Sequence, residues 1–421
     1  MLKNLFEKLN FMSYKYYIDI NLNKKTKDYC IFSFENSKEL DKYFKNKKHR
    51  IRLLDDKYSF DDCPEGIAVI PILSNLLPIA WYFDAEIKVN ELDKTFYLAT
   101  ENIKESYKKM FPNINFKGKL TVGNIVDYSY EPTDEYISLF SMGVDSLDTV
   151  CNNYEKNLHL VTLYGSDIPL NQEEGWNNLV TKIEKFSNDI NVGNSFIKSN
   201  FRNYLNSQKL SKEIKDKVPS SWWHQFQHGI AILAHAAIIA YFRKSKAILI
   251  ASSHSPAEAK YFNKPIMSCA SSPLIDNEFK FAGGYVIHDG YNKERVDKIK
   301  NIISFSRKHD INVEMRVCFV SRKGDNCSVC DKCSRCILTL VSEGENPEDY
   351  GFNIEEDTYL NIYKNIEEVA NGINKRGWHY IEFKVFDWIE IQKNFLKNKE
   401  KWENDENFNW ILDYDFTKVK N

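Results

Sequence analysis

Five of the nine cysteines, Cys318, Cys327, Cys330, Cys333 and Cys336, fall within nineteen positions of one stretch, VCFVSRKGDNCSVCDKCSRC. An odd total with this clustering is the wrong distribution for a secreted disulfide framework and points to a metal knot. Four thiolates in a compact loop suit zinc, which asks for little beyond tetrahedral packing of soft ligands. Two ligand sets are open. Cys318, Cys327, Cys330 and Cys333 give C-x8-C-x2-C-x2-C, whereas Cys327, Cys330, Cys333 and Cys336 give three successive x2 gaps. An iron–sulfur reading is weaker, because the bacterial pattern has x3 before its last cysteine and a proline after it, and Ile337 follows here. The isolated Cys30, Cys63, Cys151 and Cys269 read as small buried apolar residues.

The chain is long enough, at 421 residues, for two or three domains with sizeable cores. Its 57 Lys and Arg against 59 Asp and Glu leave a net charge of −2, so no global field draws it to nucleic acid or to an anionic membrane. The opening MLKNLFEKLNFMSYKYY lacks an uninterrupted apolar core, and no run of 18 apolar residues occurs without a charge, so a cytoplasmic protein is expected.

Residues 1–130 carry strand-like runs (YYIDINL, DYCIFSF, HRIRLL), an apolar stretch IAVIPILSNLLPIAWYF and a helix around ENIKESYKKMF, which together predict an N-terminal α/β accessory domain. Over 131–340 the apolar runs YISLF, NLHLVTLYG and KAILIASS alternate with helical segments, the signature of βαβ units and a parallel sheet. HQFQHGIAILAHAAIIAYFRKS is apolar almost all round, which predicts a helix buried against that sheet. The acidic and aromatic stretch 341–421 predicts a helical C-terminal extension.

YISLF-SMGVDS-LDTV delivers a strand into a tight turn and then a helix starting near Asp145. Successive backbone N–H groups and the positive end of the helix dipole make such a turn an anion site. Gly143 permits close backbone approach, and the hydroxyls of Ser141 and Ser146 can donate. The competing reading is that Ser141 and Asp145 only cap an ordinary βα turn. A Walker loop is excluded, since its spacing and lysine are absent.

SMGVDS resembles the SGGxDS pyrophosphate loop of the PP-loop ATP pyrophosphatases, whose fold is an adenine nucleotide alpha hydrolase-like parallel sheet. Ser141, Gly143, Asp145 and Ser146 match. Met142 stands where the first glycine would, and a negative φ there would keep its backbone donor available. On this resemblance residues Ser141 to Ser146, Val144 included, hold ATP, with Ser141, Asp145 and Ser146 at the chemistry and Asp145 a candidate ligand of Mg²⁺. Tyr164, Gly165, Ser166 and Asp167, at the end of the second strand, fall where ribose or adenine contacts would lie, although a structural turn explains them at least as well.

The C-x8-C-x2-C-x2-C spacing with KGD before its second cysteine resembles the zinc loop of the 7-cyano-7-deazaguanine synthases, a PP-loop family, over about residues 135–340. That resemblance assigns Cys318, Cys327, Cys330 and Cys333 to a structural Zn²⁺ and leaves Cys336 outside the set. The family's proline-glycine-arginine-asparagine element is replaced by SSWWHQFQHG, where His224 and His228 are candidates for its role. Ser253 and His254, after the strand KAILIASS, and Asp276, in SSPLIDNEF, are further substrate candidates, against the plainer reading of caps and solvated loops.

The resemblance implies ATP-dependent adenylation of a 7-deazaguanine carboxylate followed by amine attack, to amide or nitrile. The added terminal regions fit the synthase-like proteins of antiphage gene clusters, where a partner protein is thought to supply the amine; a homodimer is compatible with the same reading. The alternatives are another PP-loop activity, such as tRNA modification or sulfur transfer, and a non-catalytic nucleotide-binding module.

Overall fold

The computed structural model describes residues 15–373, 375–378 and 384–419. Its principal elements begin with β1 (Tyr16–Lys25), β2 (Tyr29–Asn36), β3 (Lys48–Leu53), α1 (Ile70–Phe83), β4 (Ala85–Asp93), α2 (Lys94–Met110) and β5 (Lys119–Val126). There follow β6 (Tyr136–Leu139), α3 (Val144–Asn152), β7 (Leu158–Tyr164), α4 (Glu173–Asp189) and β8 (Gly193–Ser199). The remainder comprises α5 (His228–Arg243), β9 (Ala247–Ala251), α6 (Arg295–His309), α7 (Asp331–Ser342), α8 (Thr358–Ala370) and α9 (Val385–Leu396). The fold is mixed α/β with a helical C-terminal extension.

Two compact units interleave along the sequence, where contiguous segments were expected. One takes the residues up to 133 with 197–246 and 268–286; the other takes 134–196, 247–267 and everything from 287. Among the described residues no helix is long and apolar enough to cross a membrane.

In the first unit β1 pairs antiparallel with β2 and parallel with β4, β2 pairs with β3, and β5 lies on the far side of β4. Ile18 and Ile20 of β1 and Cys30, Phe32 and Phe34 of β2 are buried at alternate positions, the period of a half-buried strand. α1 is buried along nearly its whole length despite Pro71 and Pro78. A helix with no polar face has nothing to offer water and must be enclosed. Its partner is α5, the other helix of this kind, which therefore belongs to the first unit and not to the parallel sheet of the second. A buried amide pair fixes how the two apolar surfaces meet, with Gln227 Nε2 donating to Asn75 Oδ1 at 2.6 Å and Asn75 Nδ2 to the Pro71 carbonyl at 2.8 Å. The segment 268–286 is tied in through Asp93, whose Oδ2 caps α2 at Phe96 N and also accepts from Ala282 N, both at 2.8 Å.

Three strands of the second unit form a parallel set in the order β9–β6–β7. All seven residues of β7 are buried, as expected of a strand covered on both faces. The chain leaves β6 for β7 on one side and later returns to β9 on the other. That reversal of direction next to β6 is a topological switch point, where open α/β sheets bind ligands at the carboxyl ends of their strands.

His49 and His235 share one hydroxyl in the first unit's core, with Ser199 Oγ 2.9 Å from His49 Nε2 and 2.8 Å from His235 Nε2. His235 Nδ1 faces the Ala231 carbonyl at 2.7 Å and must donate to it, so its Nε2 accepts from Ser199 and His49 Nε2–H donates to Ser199. Both rings are thereby held neutral, and burial pushes His235 down to about 4 and His49 well below the ordinary histidine range. A base with a depressed folded pKa favours the unfolded chain as protons are added. Stability of this unit should therefore fall as pH drops from about 6.5 to 4, by about 3 kcal/mol for His235 alone. Urea midpoints measured across that range, with His235→Gln flattening the slope, check the assignment.

Candidate functional site

The turn after β6 holds the shape of a glycine-rich loop without its first glycine. Met142 has φ +62°, the left-handed conformation, so the negative φ that would keep its backbone donor available is not adopted. Its side chain is buried in the apolar core and its carbonyl accepts from Arg316 N at 2.7 Å, and these two anchors hold a backbone that L-residues disfavour by about 1–2 kcal/mol. Ser146 Oγ closes the turn, donating to the Gly143 carbonyl at 3.0 Å and accepting from Ser141 N at 3.3 Å, with Ser141 Oγ 3.4 Å away. Gly143 is the N-cap of α3, and the first N–H groups of that helix have no partner within it.

Asp145, in the first turn of α3, is met by Lys298 Nζ at 3.0 Å and Arg295 Nη2 at 3.2 Å. Burial works against its ionisation, but Arg295 and then Lys298 hold the carboxyl well below the usual carboxylate range. Lys298 also donates to the Ser252 carbonyl, so one ammonium joins the ends of β6 and β9 across the switch point. Arg295 reaches Asp387 of α9 at 3.8 Å; Asp387 pairs with Arg335, which holds Asp331 at 2.8 Å, and Trp388 Nε1 donates to Asp331 at 3.0 Å. Burial opposes the charge on Asp387 too, and Arg335, Lys384 and Arg295 overcome it.

Cys318, Cys327, Cys330 and Cys333 place their sulfurs within 4.8 Å of one another, and Cys336 lies outside the set. Sulfurs at 2.3 Å from a tetrahedral zinc would be about 3.8 Å apart. Cys318 and Cys330 are 3.9 Å apart and Cys330 and Cys333 3.5 Å, so the donor set fits that metal in chemistry and spacing. Backbone N–H groups of Val320 and Ser321 donate to Cys318 Sγ at 3.3 and 3.1 Å. Contacts from the other three thiols, with the Ser321 N–H, hold the Cys318 thiol far below its ordinary range. With four protein ligands no position would remain to activate water, so a metal held there would have a structural role. The hairpin is clamped from both sides. A Cβ on Gly175 of α4 would collide with the Arg322 carbonyl, while one on Gly377 would lie 2.8 Å from Cys330 Cβ. Asp331 N donates to the Gly377 carbonyl at 3.2 Å, and Trp378 Nε1 to the Val329 carbonyl at 3.0 Å.

Several of the remaining sequence candidates serve local structure. Tyr164 is turned into the core, stacked on Trp176 at 4.5 Å with its hydroxyl on the Leu170 carbonyl, and Gly165, at φ +103°, opens a turn closed by its N–H on the Ile168 carbonyl. These are structural roles. Ser253 is exposed at the end of β9, and His254 Nδ1 lies 2.7 Å from buried Glu258, which Lys384 approaches at 3.6 Å. His228 and Asp276 belong to the first unit, where buried Asp276 accepts from Ser271 Oγ at 2.8 Å. Sequence reasoning missed Arg295, Lys298 and Arg316. One signal was present: Arg295 and Lys298 sit in the first turns of α6, where the helix dipole repels cations, so a tertiary anion had to hold them there.

Cys330→Ser should lose the metal and most soluble protein, since thiolate binding energy is folding energy, while Cys336→Ala keeps full metal content by atomic emission. Met142→Gly relieves left-handed strain but removes a buried side chain worth about 2–5 kcal/mol. The second effect is larger, so a net destabilisation of about 1–3 kcal/mol is expected in urea.

No family model matches the chain, and no curated protein or solved structure was found that matches it.

Proposed function

We propose that the chain is an ATP-dependent enzyme of PP-loop type that adenylates a carboxylate on a 7-deazaguanine and passes the acyl group to an amine. The observation that carries this reading is the turn Ser141–Ser146 at the switch point, holding a glycine-like backbone at Met142 and hydrogen-bonded at that residue to the metal hairpin. A chain that had abandoned the loop's function would have no reason to keep strain there.

The N–H groups at the start of α3, with the Ser141 and Ser146 hydroxyls, would cradle the β and γ phosphates. Lys298 and Arg295 would move from Asp145 to phosphate oxygens, freeing that carboxylate to meet Mg²⁺, which supplies charge neutralisation. The substrate carboxylate attacks the α-phosphorus and pyrophosphate leaves. The amine then attacks the acyl carbon of the adenylate and AMP leaves, giving the amide. Loss of the amide oxygen through a second adenylation would give the nitrile. Positioning and electrostatics suffice for these steps, and no nucleophilic side chain is required.

The reading is tested by pyrophosphate release from Mg-ATP with and without 7-carboxy-7-deazaguanine and ammonia, followed by mass analysis of products. Release that depends on the acid, with an amide or nitrile product, supports it. Release without a small-molecule product assigns the amine to a protein. Asp145→Ala should keep its metal and lose release by at least about a hundredfold, the scale of one lost electrostatic contact at a reacting group. Full activity in that variant rejects the PP-loop assignment.

A further inference from the structure

The metal hairpin carries two cations that are not spent on partners of matching burial. Arg316, two residues before Cys318, is only 6% exposed and its own N–H holds the Met142 carbonyl at 2.7 Å. Among the described residues its one ion-pair contact is with Asp167 at 4.0 Å, the limit of such a pair, and the Asp167 side chain is 63% exposed to water. Its buried Nε has no hydrogen-bond partner among the described residues. Lys332, between Cys330 and Cys333, sits 5.5 Å from the Phe319 ring and has no carboxylate at ion-pair distance among the described residues. Its electrostatic neighbours are Arg295, Asp167 and Asp145.

A guanidinium so deeply buried is normally satisfied by a bidentate oxyanion. Asp167, in the loop after β7, does not supply one. Arg316 is joined by its backbone to the turn after β6, and Lys332 follows Asp331, which the ladder through Arg335, Asp387 and Arg295 ties to Asp145 of that turn, so both cations are carried on a segment anchored to it. We infer that Arg316 and Lys332 form a subsite for the phosphate oxygens of the ligand seated on the Ser141–Ser146 turn. The inference rests on the nucleotide reading above and extends it. The hairpin, fixed by its metal, acts as an arm of the phosphate site, with Asp167 occupying the arginine loosely until the phosphates displace it. A ligand with at least two phosphates is required to engage both cations together with the N–H groups of α3.

Calorimetric titration of inorganic pyrophosphate into the full-length, metal-loaded chain tests this, with metal content measured for every variant. Arg316→Gln and Lys332→Gln should each raise the pyrophosphate Kd about tenfold at unchanged metal content. Asp167→Asn should lower it, because a competing carboxylate is removed from a residue too exposed to matter for folding. Wild-type affinity in both glutamine variants, or weaker binding in Asp167→Asn, overturns the subsite while leaving acid-dependent pyrophosphate release from ATP intact. A wild-type chain that neither binds pyrophosphate nor releases it overturns the nucleotide reading itself.

Discussion

Arg295 lies between two carboxylates from distant parts of the chain, Asp145 at the first turn after β6 and Asp387 in the C-terminal extension. Neither the guanidinium nor the acids could be buried alone, since an unpaired charge in such surroundings costs several kcal/mol. The ladder continues through Arg335 to Asp331, within the metal hairpin's own helix, and ends on the Trp388 indole. Turn, hairpin and extension are therefore held to one geometry by a single chain of opposite charges. The extension is structural to the second unit, and it contributes the carboxylate that leaves Arg295 only partly committed to Asp145.

The local elements were legible because each carries its own period. The alternation in β1 and β2 and the apolar run of β7 state their structure locally, whereas the cysteine spacing allows two ligand sets, of which the fold brings Cys318, Cys327, Cys330 and Cys333 together. The interleaving of the units was not legible, for a related reason. α1 and α5 are apolar on every side, so their sequences require burial but name no face and no partner. What pairs them is a polar exception, Gln227 on Asn75, and two amides separated by some 150 residues leave no pattern. The cations at Asp145 were hidden in the same way, since topology alone brings Arg295 and Lys298 of α6 to the turn after β6.

Met142 shows how a turn can hold a positive φ without a glycine. What a glycine contributes to such a turn is freedom to adopt positive φ, and here that conformation is retained by a residue that resists it. The methionine offsets the strain by burying its own side chain and by the Arg316 N–H on its carbonyl. The turn is consequently more rigid than a glycine version would be. Its geometry depends on the metal hairpin staying in place, because Arg316 belongs to that hairpin.

The pairing of α1 with α5 also sets a timetable. A ribosome has to add about 160 residues after Phe83 before Arg243 exists, roughly 10–30 s at ordinary elongation rates. For that interval the side of α1 that meets α5 lacks its native partner, although β1 and β4 can already pack against the rest. The emerging chain must shelter some fourteen residues of bare hydrocarbon against chaperones or its own early strands. The first unit closes only when the segment ending at residue 286 arrives. Strands β1 to β5 are complete by Val126, before β6 begins, so this unit can pair its strands long before its returning segments cover them.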